Sequence, residues 1–157
     1  MEKKKRKRGF TLIEILIVIG LIALLASTVL VAVNPARQFK FARDTERKAH
    51  LSTILNALGQ NLAENQGSLK CDGSLATLPA TYKEIKSGSS TTSFDLGPCL
   101  VPEYLAKMPF DPGYVGAGFV SEADYDTGYS ILQDTEGHIS VSSKSEMTPL
   151  TDIVLTR

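Results

Sequence analysis

The stretch KRGFTLIEILIVIGLIALLASTVLVAV, residues 7–33, decides how the rest of the chain is read. From Phe10 to Val33 it holds 24 residues with a single charge, Glu14. At 1.5 Å per residue a helix of that length rises about 36 Å, enough to cross a hydrocarbon core of about 30 Å with some tilt. Six Lys and Arg residues stand directly before it at positions 3–8, against one acid, Glu2. A basic flank stays cytoplasmic, so the sequence predicts a single-pass transmembrane helix at 10–34 and an exported body from residue 35 onward. A secretory signal peptide shares the basic start, but its apolar core is only ~7–15 residues and closes on a small-residue cleavage site. Here the run continues through Val29, Leu30, Val31 and Val33 into NPARQFKFARD, with no Ala-x-Ala.

The balanced charge of the 157-residue chain hides an asymmetry: beyond residue 9 eleven Lys and Arg face sixteen Asp and Glu. A body with that acidic excess does not support nucleic-acid contact, which calls for a basic stripe. The two cysteines, Cys71 and Cys99, have neither CxxC nor histidine spacing, so zinc and thioredoxin-like chemistry have nothing to rest on. In an exported body they are expected to form an intrachain disulfide, contributing ~3–4 kcal/mol on the loop-entropy model; in a cytosolic one they would be two buried thiols.

Leu51, Ile54, Leu55, Leu58 and Leu62 fall at i, i+3, i+4, i+7 and i+11, which predicts an amphipathic helix over 35–66 whose stripe needs a packing partner. The opposite face carries Arg43, Asp44, Glu46, Arg47 and Lys48, read first as a solvated face with i, i+3 and i, i+4 pairs and alternatively as salt bridging between subunits. Pro35 after Asn34 either kinks one long helix or opens a second one capped by Asn34. Residues 67–103 read as a long loop closed by the disulfide, around SGSSTTS (87–93). In the sheet region, 104–157, YSIL (129–132) and HISVS (138–142) alternate about a QDTEG turn, DIVLT (152–156) supplies a third strand, and 114–125 another. The fold expected is α+β: a long N-terminal helix, half transmembrane and half amphipathic, on a small C-terminal antiparallel sheet. His50 and His138 are the only histidines, and the common catalytic signatures are absent, so no enzyme is expected.

Glu14 remains. A carboxylate within a lipid-embedded helix costs ~2.5–3.5 kcal/mol on insertion scales, so it calls for a function, although near the interface it could snorkel toward Lys7 or Arg8. The string Gly9-Phe10-Thr11-Leu12-Ile13-Glu14, after a basic leader (1–9) and before some twenty apolar residues, resembles the type III signal of type IV prepilins and pseudopilins. The resemblance implies cleavage between Gly9 and Phe10 by a prepilin peptidase, N-methylation of Phe10, and approach of Glu14 to the N-terminal amine of a neighbouring subunit during assembly. ARDTERK resembles the charged segment of pilin-like proteins, and the whole pattern implies a pilin-like fold. YLAKMPFDP is similar to the Leu-Pro-x-Asp-Pro stretch of major pseudopilins, but Gly113-Tyr114-Val115-Gly116 replaces the Trp-Gly-x-x-Tyr that follows there, a departure away from the secretion branch.

The function expected is therefore that of a structural subunit of a type IV pilus or related filament, with other pilins, the prepilin peptidase, an inner-membrane assembly platform and the membrane as partners. It would be a single-pass inner-membrane precursor and then part of a surface or periplasmic filament. Two alternatives differ: a pseudopilin of a type II secretion system, and a signal-anchored binding module that never polymerises. No cofactor is required. The carboxylates Asp111, Glu122, Asp124, Asp126, Asp134 and Glu136 gather toward the sheet loops, and because similar pseudopilins bind calcium in this region, Asp124 and Asp126 are its candidates here.

Overall fold

The computed structural model describes residues 9–148 and 151–157, so residues 1–8 of the basic leader lie outside it. The chain divides into two units, Met1–Gln38 and Phe39–Arg157. In the first, α1 (Leu12–Val33) carries no charge but Glu14 and, over Leu12–Leu30, is long and apolar enough to cross a membrane with none of its residues buried. Its many β-branched residues are poor helix formers in water. In lipid, every backbone group must be satisfied within the segment, which a helix does.

Asn34 decides between the two readings of Pro35. Its backbone is left-handed (φ 43°), ending α1, while its side-chain Oδ1 and carbonyl accept from the Arg37 N–H at 3.3 and 3.1 Å. Asparagine tolerates this conformation, and proline suits the first position of a helix, where no N–H is needed. A second helix, α2 (Pro35–Glu64), therefore starts at Pro35. It closes over Gln66 and Gly67, both at positive φ, with the Gly67 N–H donating to the Leu62 carbonyl at 2.7 Å.

In the second unit the expected stripe is the core: Leu51, Ile54 and Leu58 are fully buried, Leu55 nearly so, and Leu62 packs at the edge. Burial of each such side chain contributes ~1.5–3 kcal/mol. Against it lies a sheet in the order β4-β3-β6-β7-β8, with β5 (Gly118–Ser121) also on β6. The hairpin of β6 (Asp124–Gln133) and β7 (Ile139–Lys144) pairs Ile131 with Val141, and β8 (Asp152–Thr156) follows antiparallel. Tyr125, Thr127, Tyr129 and Ile131 alternate inward along β6.

The segment 67–103 is not a loop, in correction of the sequence reading. It holds a small hairpin, β1 (Leu69–Cys71) with β2 (Ser74–Ala76), then β3 (Lys83–Lys86), β4 (Ser93–Phe94) and the single turn α3 (Gly97–Leu100). β3 enters the main sheet antiparallel to β6, and β4 pairs parallel with β3, so the sheet is mixed rather than wholly antiparallel. The Cys71–Cys99 disulfide forms, and Asn61 of α2, 1% exposed, anchors the region by donating to the carbonyls of Lys70 (2.7 Å) and Cys99 (2.8 Å).

Candidate functional site

The start of α1 carries the first candidate. Thr11 is its N-cap: its Oγ1 accepts from the Glu14 N–H at 3.3 Å, and Glu14 Oε2 accepts from the Thr11 N–H at 3.4 Å. This reciprocal box satisfies two donors that a helix start leaves without partners and holds the carboxylate over the N-terminal, positive end of the helix. Phe10 is 80% exposed, and a Cβ added at Gly9 would meet nothing within 4 Å. Among the described residues the local packing therefore does not require a glycine at position 9, and none of them covers Phe10.

The second candidate is the charged face of α2, and here the sequence reading is corrected. Asp44 and Arg47 are buried, 6% and 3% exposed, not solvated. Arg47 donates two bonds to Asp111, from Nε (2.8 Å) and Nη2 (2.7 Å), one to Asp44 (2.7 Å) and one to Glu146 (2.8 Å). Arg43 pairs with the same Glu146, its Nε donating at 2.8 Å. Asp44 accepts from the Ser145 hydroxyl (2.6 Å) and the N–H groups of Glu146 (3.0 Å) and Met147 (3.1 Å). Of the i, i+3 pairs on this face, Asp44 with Arg47 is made, whereas Arg43 turns to Glu146 rather than Glu46.

The charges follow from these contacts. Burial alone pushes the Asp44 carboxyl up, but the N–H of Glu146, the Ser145 hydroxyl, the N–H of Met147 and Arg47 outweigh it and hold its pKa at about 2. The Arg43 bond, opposed by partial burial and helped by Arg47, brings Glu146 to about 2 as well. Asp111, raised by burial but bonded to Arg47 and to the Gly113 N–H, also lies below the ordinary carboxylate range, and Arg47 is held well above its own. Gly113 makes room for the cluster: a Cβ there would sit 2.7 Å from both Arg47 Nη2 and Glu146 Oε1. Among the described residues no buried side-chain nitrogen or oxygen lacks a partner. The network joins α2 to the loops after β7 and before β5, all within one subunit.

Asp124 and Asp126, the calcium candidates, lie two residues apart on the outward face of β6, and Asp126 Oδ1 accepts from the Gly128 N–H at 2.9 Å. Among the described residues the group of three acidic and histidine ligand atoms all within 4.8 Å of one another is that of Asp134, Glu136 and His138, all exposed in the β6–β7 turn. There Asp134 accepts from the N–H groups of Glu136 (2.9 Å) and His138 (2.8 Å), which accounts for the cluster as turn chemistry. His50 faces the buried Tyr129 hydroxyl at 2.9 Å from Nδ1. Asp111 and Glu146 were missed as partners of Arg47; the one sequence signal for them was a Pro-x-Asp-Pro-like stretch around Asp111.

Among known families, the one described as the prokaryotic N-terminal methylation motif matches residues 4–30, covering Gly9, Phe10, Glu14 and most of α1. The chain carries a type IV prepilin-like signal. Such a signal is a structural motif rather than a catalytic one, and it implies processing by a prepilin peptidase and assembly with other pilin-type subunits. The apolar helix behind it fits a signal-anchored membrane segment. No curated protein and no solved structure matches the chain.

Proposed function

We propose that the chain is a structural, non-catalytic subunit of a type IV pilus or a related filament. The observation that carries this reading is the prepilin-like signal on a helix none of whose residues is buried from Leu12 to Leu30. An apolar helix of this length needs lipid first, and packing it against copies of itself exchanges lipid contacts for protein contacts as the filament grows. Cleavage after Gly9 would create a new amine on Phe10, next to the Thr11 N–H that Glu14 already faces at 3.4 Å. An α-amine has a reference pKa of about 7.7–8.0 and is largely protonated at neutral pH, so in a low-dielectric bundle it strongly attracts the Glu14 carboxylate of a neighbouring subunit. A slipped subunit leaves both charges unpaired, which makes the pair a register device more than a source of stability. The leader stays cytoplasmic and the head is exported, in keeping with the disulfide.

The competing pseudopilin reading differs in where the filament ends, and the non-polymerising anchor differs in having no filament at all. Shearing native cells and probing the released material with antibody to the head separates them. Long surface fibres containing this chain support the pilus; a chain that stays in the envelope in crosslinkable ladders supports a secretion pseudopilus; a monomer that never crosslinks to itself or to other pilins overturns the proposal.

A further inference from the structure

Among the described residues none covers the first two turns of α2. Every residue from Asn34 to Ala42 is exposed, and Phe39 and Phe41 are 65% and 60% exposed. The contrast is with Phe94 and Phe119, which pack against the head core. Phe39 and Phe41 lie on nearly opposite sides of the helix, so one flat docking partner does not cover both. The segment from Asn34 to Arg43 also carries Arg37, Lys40 and Arg43 and no acid.

Position in the chain identifies what surrounds both sides at once. The apolar helix α1 ends at Val33, and along α2 from Pro35 the rise is at most ~6 Å to Phe39 and ~9 Å to Phe41, whose ring reaches back from the outer edge of the headgroup layer. The headgroup region beyond the hydrocarbon adds ~5–8 Å on each face of a bilayer. Phe side chains of a helix at this layer bury toward the headgroup–acyl boundary, and Lys and Arg near it are drawn to lipid phosphates.

We infer that the start of α2 is a lipid-headgroup collar: in the membrane-held subunit, Phe39 and Phe41 sit in the interfacial layer of the outer leaflet, and Arg37 and Lys40 engage its phosphates. Phe10 stands at the other end of the same span. The collar would fix how deep the precursor rides and has to be released when a subunit is withdrawn into a filament. This inference rests on the exported-head reading.

The chain contains no tryptophan, so single probes can be placed in the full-length protein. Four variants, Ile19→Trp, Phe39→Trp, Phe41→Trp and Gln60→Trp, are reconstituted in phosphatidylethanolamine–phosphatidylglycerol vesicles whose acyl chains are brominated near the carbonyl or near the midplane. Positions 39 and 41 are expected to be quenched several-fold more by shallow than by deep bromines, position 19 the reverse, and position 60 by neither. Quenching at 19 with water-like, unquenched emission at 39 and 41 overturns the collar and leaves the membrane reading intact. Protection at 39 and 41 that needs high protein density and is insensitive to bromine assigns the segment to a second copy, and also overturns it. No quenching at 19 removes the membrane reading itself.

Discussion

Glu14, in the first turn of α1, and Asp44, in the third turn of α2, are carboxylates on consecutive helices, and their surroundings differ in one respect. Asp44 finds all its partners inside the head: an arginine, a hydroxyl and two backbone N–H groups, with Arg47 in turn shared by Asp111 and Glu146. Among the described residues Glu14 finds only its own N-cap, on a helix none of whose residues is buried from Leu12 to Leu30. Where a charge and its neighbours are satisfied internally, they specify the subunit. Where only the local backbone is satisfied, the remaining surface is specified for something outside the chain.

The sharpest way to break this comparison is to remove each charge and ask what fails. Glu14→Ala is expected to leave the head folded and cleavage intact while fibre yield in sheared fractions collapses; normal amounts of mutant fibre would refute the register role. Arg47→Ala is expected to do the opposite. It takes the shared cation from three carboxylates, two of them buried and left with only neutral donors, and should cost about 3–5 kcal/mol of head stability, read by chemical denaturation of the full chain in detergent, with N-terminal processing unchanged.

These two outcomes bear on what the sequence could and could not disclose. The apolar N-terminal helix, the prepilin-like signal and the Leu51–Leu62 stripe were legible because their signals are local: composition, a contiguous motif and helical periodicity. The β6–β7 hairpin was legible for the same reason, from alternation about a turn. The burial of Asp44 and Arg47 was not, because Asp111 is 64 residues from Arg47 and Glu146 is 99. Without those partners a run of Arg, Asp, Glu and Lys reads as a wet surface, and only tertiary structure turns its inner half into a clamp. β3 was hidden likewise: Lys-Glu-Ile-Lys offers one apolar residue, Ile85, which is fully buried only because β6 runs alongside.

Smaller effects sharpen the same contrast. Replacing Cys71 and Cys99 together by serine should lower head stability by about 3–4 kcal/mol, visible as a lower denaturation midpoint, without changing membrane insertion. Acid should weaken the head through the clamp. Asp44 titrates at about 2 in the folded chain against 3.8 for the ordinary group. Its contribution is therefore complete above about pH 5, is lost as pH falls through the folded value, and amounts to about 2 kcal/mol. Asp44→Asn should flatten the decline of the denaturation midpoint between about pH 5 and 2 relative to the parent. The smallest effect belongs to Thr11→Val, which removes the cap hydroxyl at a cost of about 1 kcal/mol at the helix start and should speed amide exchange at Ile13–Ile15 in micelles, with the head unaffected.

The central claim is that α1 begins a processed filament subunit, and the mass of the N-terminal peptide from native membrane and sheared fractions tests it most directly. A peptide beginning at N-methylated Phe10 is the expected result; a stable chain that retains Lys3 to Gly9 in both fractions would contradict it.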